Sequence, residues 1–459
     1  MLFLLGFLAA RLLAPVSFGE YSTAFAFVGL FRILPDFGMS YASTLEISRH
    51  PDRARRLAGG LLAFQGALSF VTLALCLGIG RVLYDGVIWA AVVILTVDLL
   101  LKALKSTLRW LLKALEHFGV EALSLLAERV LILGFGSAAL VLGHGVVGFV
   151  AVFAAVRLLD TIALFVFVNA RVLPLRPLVD TGLWRELLRK GLPFAYAGLV
   201  ITLVFQVDAV LLEALKGAVE VGIYRAPTLV LEGLTLVPRI LGYALIPTMA
   251  ALHQRRPEVV GALYRRSVKY LVLAGLPVAS FGVLESDRFV PLLFGGAFAR
   301  SIPVAQVLLP AALFMFLSNL SETTLACLNR WRVIVVASTA ALVLNVVLNL
   351  LWIPQLGAMG SAWATLGTEG AYFAMTAAAM AQAGHGLPPP RLISRPLLAC
   401  AAFATALALL RPLPVLAAGA LASGVFAAAT LAFGVWDSAE RAALRELFRG
   451  RRPDAGSLT

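Results

Sequence analysis

Charged residues are scarce in this chain. Of its 459 residues only 14% are charged and 61% are hydrophobic, and the mean hydropathy is +0.92. A soluble domain has about half apolar residues and about a quarter charged ones. The composition therefore excludes an ordinary soluble domain and predicts an all-α protein that crosses a membrane many times.

Cysteine and histidine are also rare. The three cysteines lie far apart in apolar segments, and the five histidines are scattered (Cys76, Cys327, Cys400; His50, His117, His144, His253, His385). None of these residues has the spacing of a metal or redox centre, so we predict no metal ion and no cofactor. The cysteines are typical of small core residues.

The signatures of catalysis are missing as well. The predicted outward loops are short and contain no Asp-x-Asp or paired carboxylate, which a membrane glycosyltransferase or polymerase would need to hold sugar and metal. Gly134-Phe135-Gly136 lies inside a predicted spanning helix without a preceding strand, so it indicates helix packing and not dinucleotide binding. We predict that the protein is not an enzyme, with a glycosyltransferase or polymerase as the remote alternative.

Long apolar runs dominate the chain. Runs bounded by glycine, proline and charge predict about fourteen spanning helices. The first run follows Met1 without a cleavage site, so we predict a retained helix rather than a signal peptide. The predicted helices cover residues 1–14, 21–47, 57–80, 82–108, 115–142, 145–171, 191–214, 224–250, 269–292, 302–327, 331–353, 361–383, 395–411 and 413–436.

The basic residues fall on alternate sides of this helix pattern. Of 38 Lys and Arg residues, 27 lie in the C-terminal tail or in loops after even-numbered helices, and six lie in loops after odd-numbered helices. Basic loops stay on the cytoplasmic side, so both termini are predicted to be cytoplasmic. The net charge of +13 is explained by topology, and we predict no nucleic-acid partner.

An internal repeat divides the chain. Phe18-Gly19-Glu20-Tyr21 and Val221-Gly222-Ile223-Tyr224 lie 203 residues apart, and Gly145-x-x-Gly148 has a counterpart in Gly357-x-x-Gly360. We predict two six-helix halves in a parallel repeat, because an even number of helices gives both copies the same orientation. The predicted boundaries are 1–172 for the N-terminal half, 173–190 for a cytoplasmic linker, 191–384 for the C-terminal half, 395–436 for two added helices and 437–459 for a cytoplasmic tail.

Two of these segments have an amphipathic pattern. Residues 184–189 of the linker read Trp-Arg-Glu-Leu-Leu-Arg, which is typical of a helix that lies in the membrane interface. The tail, from Asp437 to Thr459, is predicted to be a short basic amphipathic helix with a disordered end.

Predicted helices two and eight, which are repeat counterparts, carry charges within the membrane. Arg225, Glu232 and Arg239 are spaced by seven, which places them near one face of helix eight. Such a face suits either a water-filled lumen for an anionic group or a buried Arg–Glu network that fixes the helix to a neighbour. In helix two, Arg32 and Asp36 are one turn apart, with Pro35 loosening the backbone between them.

The remaining charges are predicted to have separate roles. Asp208 in helix seven suits either a coupling cation or an ion pair with Arg32 or Arg239 that holds the halves in one state. Neighbouring charges of opposite sign are predicted to pair with each other and to be structural (Glu128 with Arg129, Arg157 with Asp160). Single acids remain at Asp98, Glu322 and Glu369.

Several short blocks occur in a fixed order along the predicted helices. They are Phe18-Gly19-Glu20-Tyr21, Pro35-Asp36-Phe37-Gly38, Asp208, Val221-Gly222-Ile223-Tyr224, Ile246-Pro247-Thr248, Leu293-Phe294-Gly295-Gly296-Ala297-Phe298, and Leu344-Asn345-Val346-Val347-Leu348-Asn349-Leu350 followed by Ile353-Pro354, Gly357 and Gly360-Ser361-Ala362. From about Ala14 to Tyr372 the chain thereby resembles the polysaccharide transport family of the multidrug/oligosaccharidyl-lipid/polysaccharide exporter superfamily.

The resemblance implies a V-shaped bundle of two six-helix repeats with two further C-terminal helices. It also implies a flippase of the cytoplasmic membrane that moves polyprenyl-(pyro)phosphate-linked oligosaccharides outward by alternating access, for surface polysaccharide biosynthesis. Expected partners are the lipid-linked oligosaccharide, membrane lipids, a coupling sodium ion or proton, and polysaccharide assembly enzymes. A peptidoglycan lipid-precursor flippase and a cation-coupled multidrug antiporter of the same superfamily are the alternatives.

This function assigns roles to six charged residues. We expect the guanidinium groups of Arg32, Arg225 and Arg239, together with Glu232, to form the substrate site, because arginine binds pyrophosphate by paired hydrogen bonds and by charge. We expect Asp36 and Asp208 to serve cation coupling or gating.

Overall fold

The computed structural model describes residues 2–40, 46–47, 53–255, 257–437 and 440. These residues are helical almost throughout, and no β-strand occurs among them. The long helices, in chain order, are α1 (Leu2–Leu30), α2 (Ala54–Leu83), α3 (Gly86–Ala114), α4 (Phe118–Val141), α5 (Gly145–Phe167), α6 (Thr181–Lys216), α7 (Ala218–Leu234), α8 (Leu236–Arg255), α9 (Pro257–Phe294), α10 (Ser301–Leu308), α11 (Ala311–Cys327), α12 (Trp331–Leu356), α13 (Ala358–Gln382), α14 (Pro390–Leu409) and α15 (Val415–Ala432).

Within the described ranges, twelve helical segments are long and apolar enough to cross a membrane. Only a helix or a closed barrel satisfies its backbone hydrogen bonds in hydrocarbon, so apolar runs of this length fold as helices. The all-α, multi-pass prediction is confirmed. The count is below fourteen because α1 covers the first two predicted helices and α13, at the position of predicted helix twelve, is not among the twelve segments.

The predicted bounds of the first two helices are wrong in part. The backbone turns sharply at Ala14 (φ 59°, ψ 173°), close to the predicted end of helix one, but the chain is helical again from Pro15, and α1 ends at Leu30. Predicted helix two is interrupted, because residues 31–38 form successive turns before the helical residues 39–40. Pro35 lacks an amide donor and disfavours the helical conformation of the residue before it, which favours these turns over a continuous helix.

Helix α3 continues beyond the predicted end at residue 108 to Ala114, and so includes Arg109 and Lys113. The helix predicted for residues 184–189 of the linker is confirmed, because Thr181–Lys190 forms the first part of α6, which continues to Lys216. Most of the predicted tail, residues 438–439 and 441–459, lies outside the described residues.

Two compact units make up the fold. The first contains residues 1–226 and 346–361, and the second contains residues 227–345 and 362–459. In the first unit α3 packs against α1, α2 and α5, and a buried apolar cluster includes Leu57, Leu61, Leu112, Leu183 and Leu187. In the second unit α9 packs against α8, α11 and α14, and α14 packs against α15.

The two copies of the repeated glycine meet inside the first unit. A Cβ atom on Gly19 would lie 1.8 Å from the carbonyl oxygen of Ala218, and a Cβ atom on Gly222 would lie 2.0 Å from that of Pro15. Each of these carbonyls belongs to the residue four positions before the opposite glycine, so the contact is symmetric. Glycine lets helix backbones approach this closely because it has no side chain.

Candidate substrate and coupling sites

A cluster of basic side chains lies in the first unit. Lys102, on α3, is within electrostatic range of Arg32, Arg129 and Arg157 and of the acid Asp98. Lys102 and Arg32 are exposed, and Arg129 is half-buried. A cation in a spanning helix is costly against lipid and normally faces water or an opposite charge. Because Arg157 is paired with Asp98 and Glu128, Lys102, Arg32 and Arg129 are the candidate residues for binding an anionic group.

Beside this cluster lies a buried ion-pair network that joins α3, α4 and α5. Glu128 forms an ion pair with Lys105 Nζ at 2.6 Å and accepts hydrogen bonds from Arg109 Nη2 at 3.0 Å and Arg157 Nε at 3.2 Å. Asp160 lies 3.3 Å from both Lys105 Nζ and Arg109 Nη2. The side chains of Glu128 and Lys105 are each only 3% exposed.

The positive and negative charges of this network balance each other. Arg157 also pairs with Asp98, so three basic groups face three acids, and Ser124 Oγ donates to Asp160 at 2.8 Å. The predicted pairing of Glu128 with Arg129 and of Arg157 with Asp160 is wrong, because Glu128, Arg157 and Asp160 each pair with residues of neighbouring helices. We infer a structural role for this network.

Lys102, Lys105 and Arg109 all lie on α3, and Lys105 and Arg109 belong to the buried network, although such basic residues were expected in a cytoplasmic loop. A signal was available, because their spacing of three and four residues is helical and the apolar run continues through Leu111 and Leu112. Three basic residues within eight positions are typical of a cytoplasmic loop, and for that reason the helix was predicted to end at residue 108.

Asp208 is the centre of a second polar cluster of the first unit. Its side chain is buried (7% exposed) and accepts from Tyr224 Oη at 2.8 Å and from Asn349 Nδ2 at 3.0 Å. Tyr224 belongs to the repeated Val-Gly-Ile-Tyr block, and Asn349 is fully buried on α12. The cluster offers carboxylate, amide and phenol oxygens around one acid.

Asp36 begins a hydrogen-bonded chain that leads into the same unit. It accepts from Ser40 N at 3.2 Å and from Ser40 Oγ. Ser40 Oγ lies 2.8 Å from Thr107 Oγ1, which donates to Gln65 Oε1 at 2.9 Å. The segment after α1 is thereby tied to α2 and α3.

Predicted helix eight is interrupted at Thr235, whose amide and hydroxyl both donate to the carbonyl oxygen of Glu232, at 3.3 and 2.7 Å. A threonine hydroxyl that competes for a helix carbonyl weakens the helix, and Pro238 follows three residues later. Arg225 and Glu232 lie on α7, and Arg239 lies in the first turn of α8.

The break has a counterpart in the other copy of the repeat. Pro35 and Pro238 are 203 residues apart, the same offset as Gly19 and Gly222, and α1 and α7 end at Leu30 and Leu234. Arg225 is buried (6% exposed), Glu232 is half-buried, and Arg239 is exposed.

In the second unit, Glu322 on α11 accepts from Tyr372 Oη on α13 at 3.3 Å. An apolar cavity of about 650 Å³ lies among α7, α9, α14 and α15, lined by Val230, Leu273, Phe281, Phe289, Phe403 and Phe426. Across the described residues, no group of three or more His, Cys, Asp or Glu side chains could hold a metal ion.

Comparison with known proteins identifies the family. Residues 1–253 match the family model described as "Polysaccharide biosynthesis protein". A Shigella flexneri protein described as "Putative O-antigen transporter" is 24% identical over 380 residues, which are 78% of this chain and 88% of that protein.

Solved structures share the fold. The lipid II flippase MurJ in an inward closed conformation aligns with a TM-score of 0.77 at 10% identity, over 98% of each chain. An inward-facing multidrug resistance MATE family transporter of the MOP superfamily aligns with a TM-score of 0.66 at 14% identity, over 82% of this chain and 91% of that one. The fold is thus that of MurJ and MATE transporters, and by the match over more than half of its length the chain belongs to the polysaccharide biosynthesis protein family.

Proposed function

We propose that this protein is a flippase that moves polyprenyl-(pyro)phosphate-linked oligosaccharides across a membrane by alternating access. The observation that carries the proposal is the basic cluster around Lys102, in a chain of this family and fold. A diphosphate is the anionic part of such a substrate, and lysine and arginine bind it by charge-assisted hydrogen bonds. A multidrug antiporter that binds cationic compounds would need acidic side chains at the position of this basic cluster.

We assign binding of the anionic group to Lys102 and Arg32, which are exposed on the first unit. Arg239, exposed on the second unit, keeps its expected role as a separate substrate contact. Arg225 and Glu232 complete the expected set, although the burial of Arg225 favours a supporting role. The apolar cavity of the second unit is suited by its chemistry to part of the prenyl chain, with the rest in the bilayer.

We propose that Asp208 couples transport to a sodium ion or a proton, or gates it. The Asp208 carboxylate is buried and accepts hydrogen bonds from Tyr224 and Asn349. An acid inside a membrane protein is costly and typically marks an ion or proton pathway. Asp36, tied to Ser40, has the gating role in this proposal, because it joins the segment after α1 to α2 and α3.

The distribution of basic residues supports a cytoplasmic-membrane protein with both termini in the cytoplasm. We further propose that polysaccharide assembly enzymes accept the flipped product. Reporter fusions after α15 and in the α14–α15 loop test the orientation, since opposite signals are expected.

Transport is tested in proteoliposomes. A fluorescent polyprenyl-diphosphate saccharide is offered beside a cationic dye, with and without a sodium or proton gradient. We expect the fluorescent saccharide to become protected because it is moved across the membrane, and we expect no efflux of the cationic dye. Dye efflux without saccharide movement would move the protein to the antiporter class, and movement of a peptidoglycan precursor in place of the oligosaccharide would favour the precursor flippase.

Point variants then test the site. Lys102→Gln, Arg32→Gln and Arg239→Gln are each expected to lower transport by at least about tenfold, because one charge-assisted contact is lost. Arg330→Gln, in an exposed loop, is the matched control and should transport normally. Retained transport in all three site variants would contradict the assignment.

A further inference from the structure

The start of α2, the segment between α5 and α6 and the first turns of α6 carry an exposed basic surface that the proposed function does not use. We define this linker surface by six exposed arginines of the first unit: Arg53, Arg55, Arg171, Arg176, Arg185 and Arg189. We infer that the linker surface binds the anionic headgroups of membrane phospholipids.

The linker surface is a fixed array because its backbone is bound to the start of α2. Leu178 N donates to Gly59 O at 3.0 Å, and Trp184 Nε1 donates to Gly60 O at 3.2 Å. The Trp184 ring stacks on Phe64 with centroids 4.9 Å apart. Leu183 and Leu187 are buried in the apolar cluster of the unit, so the arginines between and beside them must point outward.

The acids of the segment are already engaged. Asp180 pairs with Arg56 Nη2 at 2.7 Å and accepts from Leu183 N at 3.0 Å. Glu186 pairs with Lys190 at 2.8 Å. In the part of the chain that the structure describes, none of the six arginines of the linker surface is recorded in an ion pair, so the surface keeps a net positive charge.

The position of the linker surface identifies a lipid as the partner. It lies at the ends of three candidate spans, next to Ala54, Val172 and Phe194, which is the depth of lipid headgroups. Leu178 and Val179 are 40% and 73% exposed, and apolar side chains next to basic ones are typical of a segment in the membrane interface. Arginine binds the phosphodiester of a headgroup by paired hydrogen bonds, and anionic lipids add an attraction that increases with each basic residue.

The inference is tested by lipid binding to the full-length protein in detergent. Native mass spectrometry and titration with a fluorescent short-chain lipid would compare phosphatidylglycerol, cardiolipin and phosphatidylcholine. We expect the two anionic lipids to bind about tenfold more tightly than phosphatidylcholine, and the difference to shrink as salt is added. Equal affinity for all three lipids would overturn the inference.

Matched variants locate the site. Replacing Arg176, Arg185 and Arg189 together by Gln should abolish most of the preference for anionic lipid, whereas replacing them by Lys should retain it. The control replaces Arg330, Arg332 and Arg391, which are exposed on the second unit, and removes the same charge. An equal loss in the control would show a net-charge effect and contradict the site. Transport is not measured, so the result is independent of the proposed function.

Discussion

Gly19 and Gly222, the second residues of the two copies of one repeated block, face each other across a helix crossing. The backbone nitrogen of each glycine lies 3.0–3.2 Å from the position of a Cβ on the other. A repeat found in the sequence thus becomes a symmetric contact in the fold. The ends of α1 and α7, with Pro35 and Pro238 at matching positions, extend the same symmetry.

The glycine crossing predicts that Gly222→Ala is strongly destabilising. The added methyl would lie 2.0 Å from the carbonyl oxygen of Pro15, so the helices must separate, at a cost of about 1–3 kcal/mol. Thermal unfolding in detergent measures the effect. Gly134→Ala is the control, because a Cβ there meets nothing within 4 Å and alanine favours the helix. If both variants unfold at the same temperature, the close crossing is absent.

The ion-pair network predicts a large effect for Glu128→Gln. The variant removes the counter-charge of Lys105, Arg109 and Arg157, and breaking a buried pair in this way costs about 3–5 kcal/mol. The control is Glu121→Gln, whose partner Lys113 is 3.5 Å away and 37% exposed, so a loss of at most about 1 kcal/mol is expected. Similar unfolding temperatures for both variants would contradict the structural role.

The fold was predictable from the sequence because one-dimensional signals determine it. Runs of apolar residues mark spans, and a block such as Val221–Tyr224 marks a repeat. The partners of individual charges were not predictable in the same way. Glu128 pairs with residues of α3 and α5 and not with its neighbour Arg129, since pairing depends on helix packing and rotation. The break at Thr235 involves hydrogen bonds of its amide and hydroxyl and is followed by Pro238, and hydrophobic periodicity reveals none of these.

Asp180, which lies outside the candidate spans, makes the contact between the linker and α2 sensitive to acid. The hydrogen bond from Arg56, with that from the Leu183 amide, lowers the pKa of the Asp180 carboxyl below its ordinary value. A group whose pKa is lower in the folded state stabilises it at pH values above its unfolded pKa, about 3.9, and the contribution disappears as pH falls through the folded pKa. We therefore expect the contact between the linker and α2 to be intact at pH 6 and to weaken below about pH 4.

Hydrogen exchange of the 181–187 peptide, corrected for the intrinsic rate at each pH, measures this contact. Asp180→Asn should lose protection at pH 6 and respond less to acid than the wild type. Glu186→Gln, which leaves the Asp180 contacts unchanged, serves as the control. Identical pH profiles for the wild type and Asp180→Asn would show that another group controls the contact.

The last prediction concerns the return of the chain after α15. Lys269, on α9, is 3% exposed, and its Nζ lies 2.7 Å from Glu440 and 3.2 Å from the carbonyl oxygen of Val435. Glu440 N donates to Asp437 Oδ1 at 2.7 Å, and Asp437 N donates to Glu440 Oε2 at 2.8 Å. This reciprocal pair has the hydrogen-bond pattern of a capping box. Glu440 is therefore both a member of this box and the counter-ion of a buried lysine.

Glu440→Gln should destabilise the second unit by about 3–5 kcal/mol, because a buried ammonium group loses its charged partner. The double variant Lys269→Met with Glu440→Gln should recover most of the loss, because no buried charge remains unbalanced. The control is Asp437→Asn, which removes the exposed ion pair with Arg266 at 3.0 Å. We expect it to lower the free energy of unfolding by less than Glu440→Gln does. Recovery in the double variant separates the charge effect from the loss of the cap, since the cap is equally altered in both. A double variant as unstable as Glu440→Gln alone would show that the capping box, and not the buried charge, stabilises the segment that follows α15.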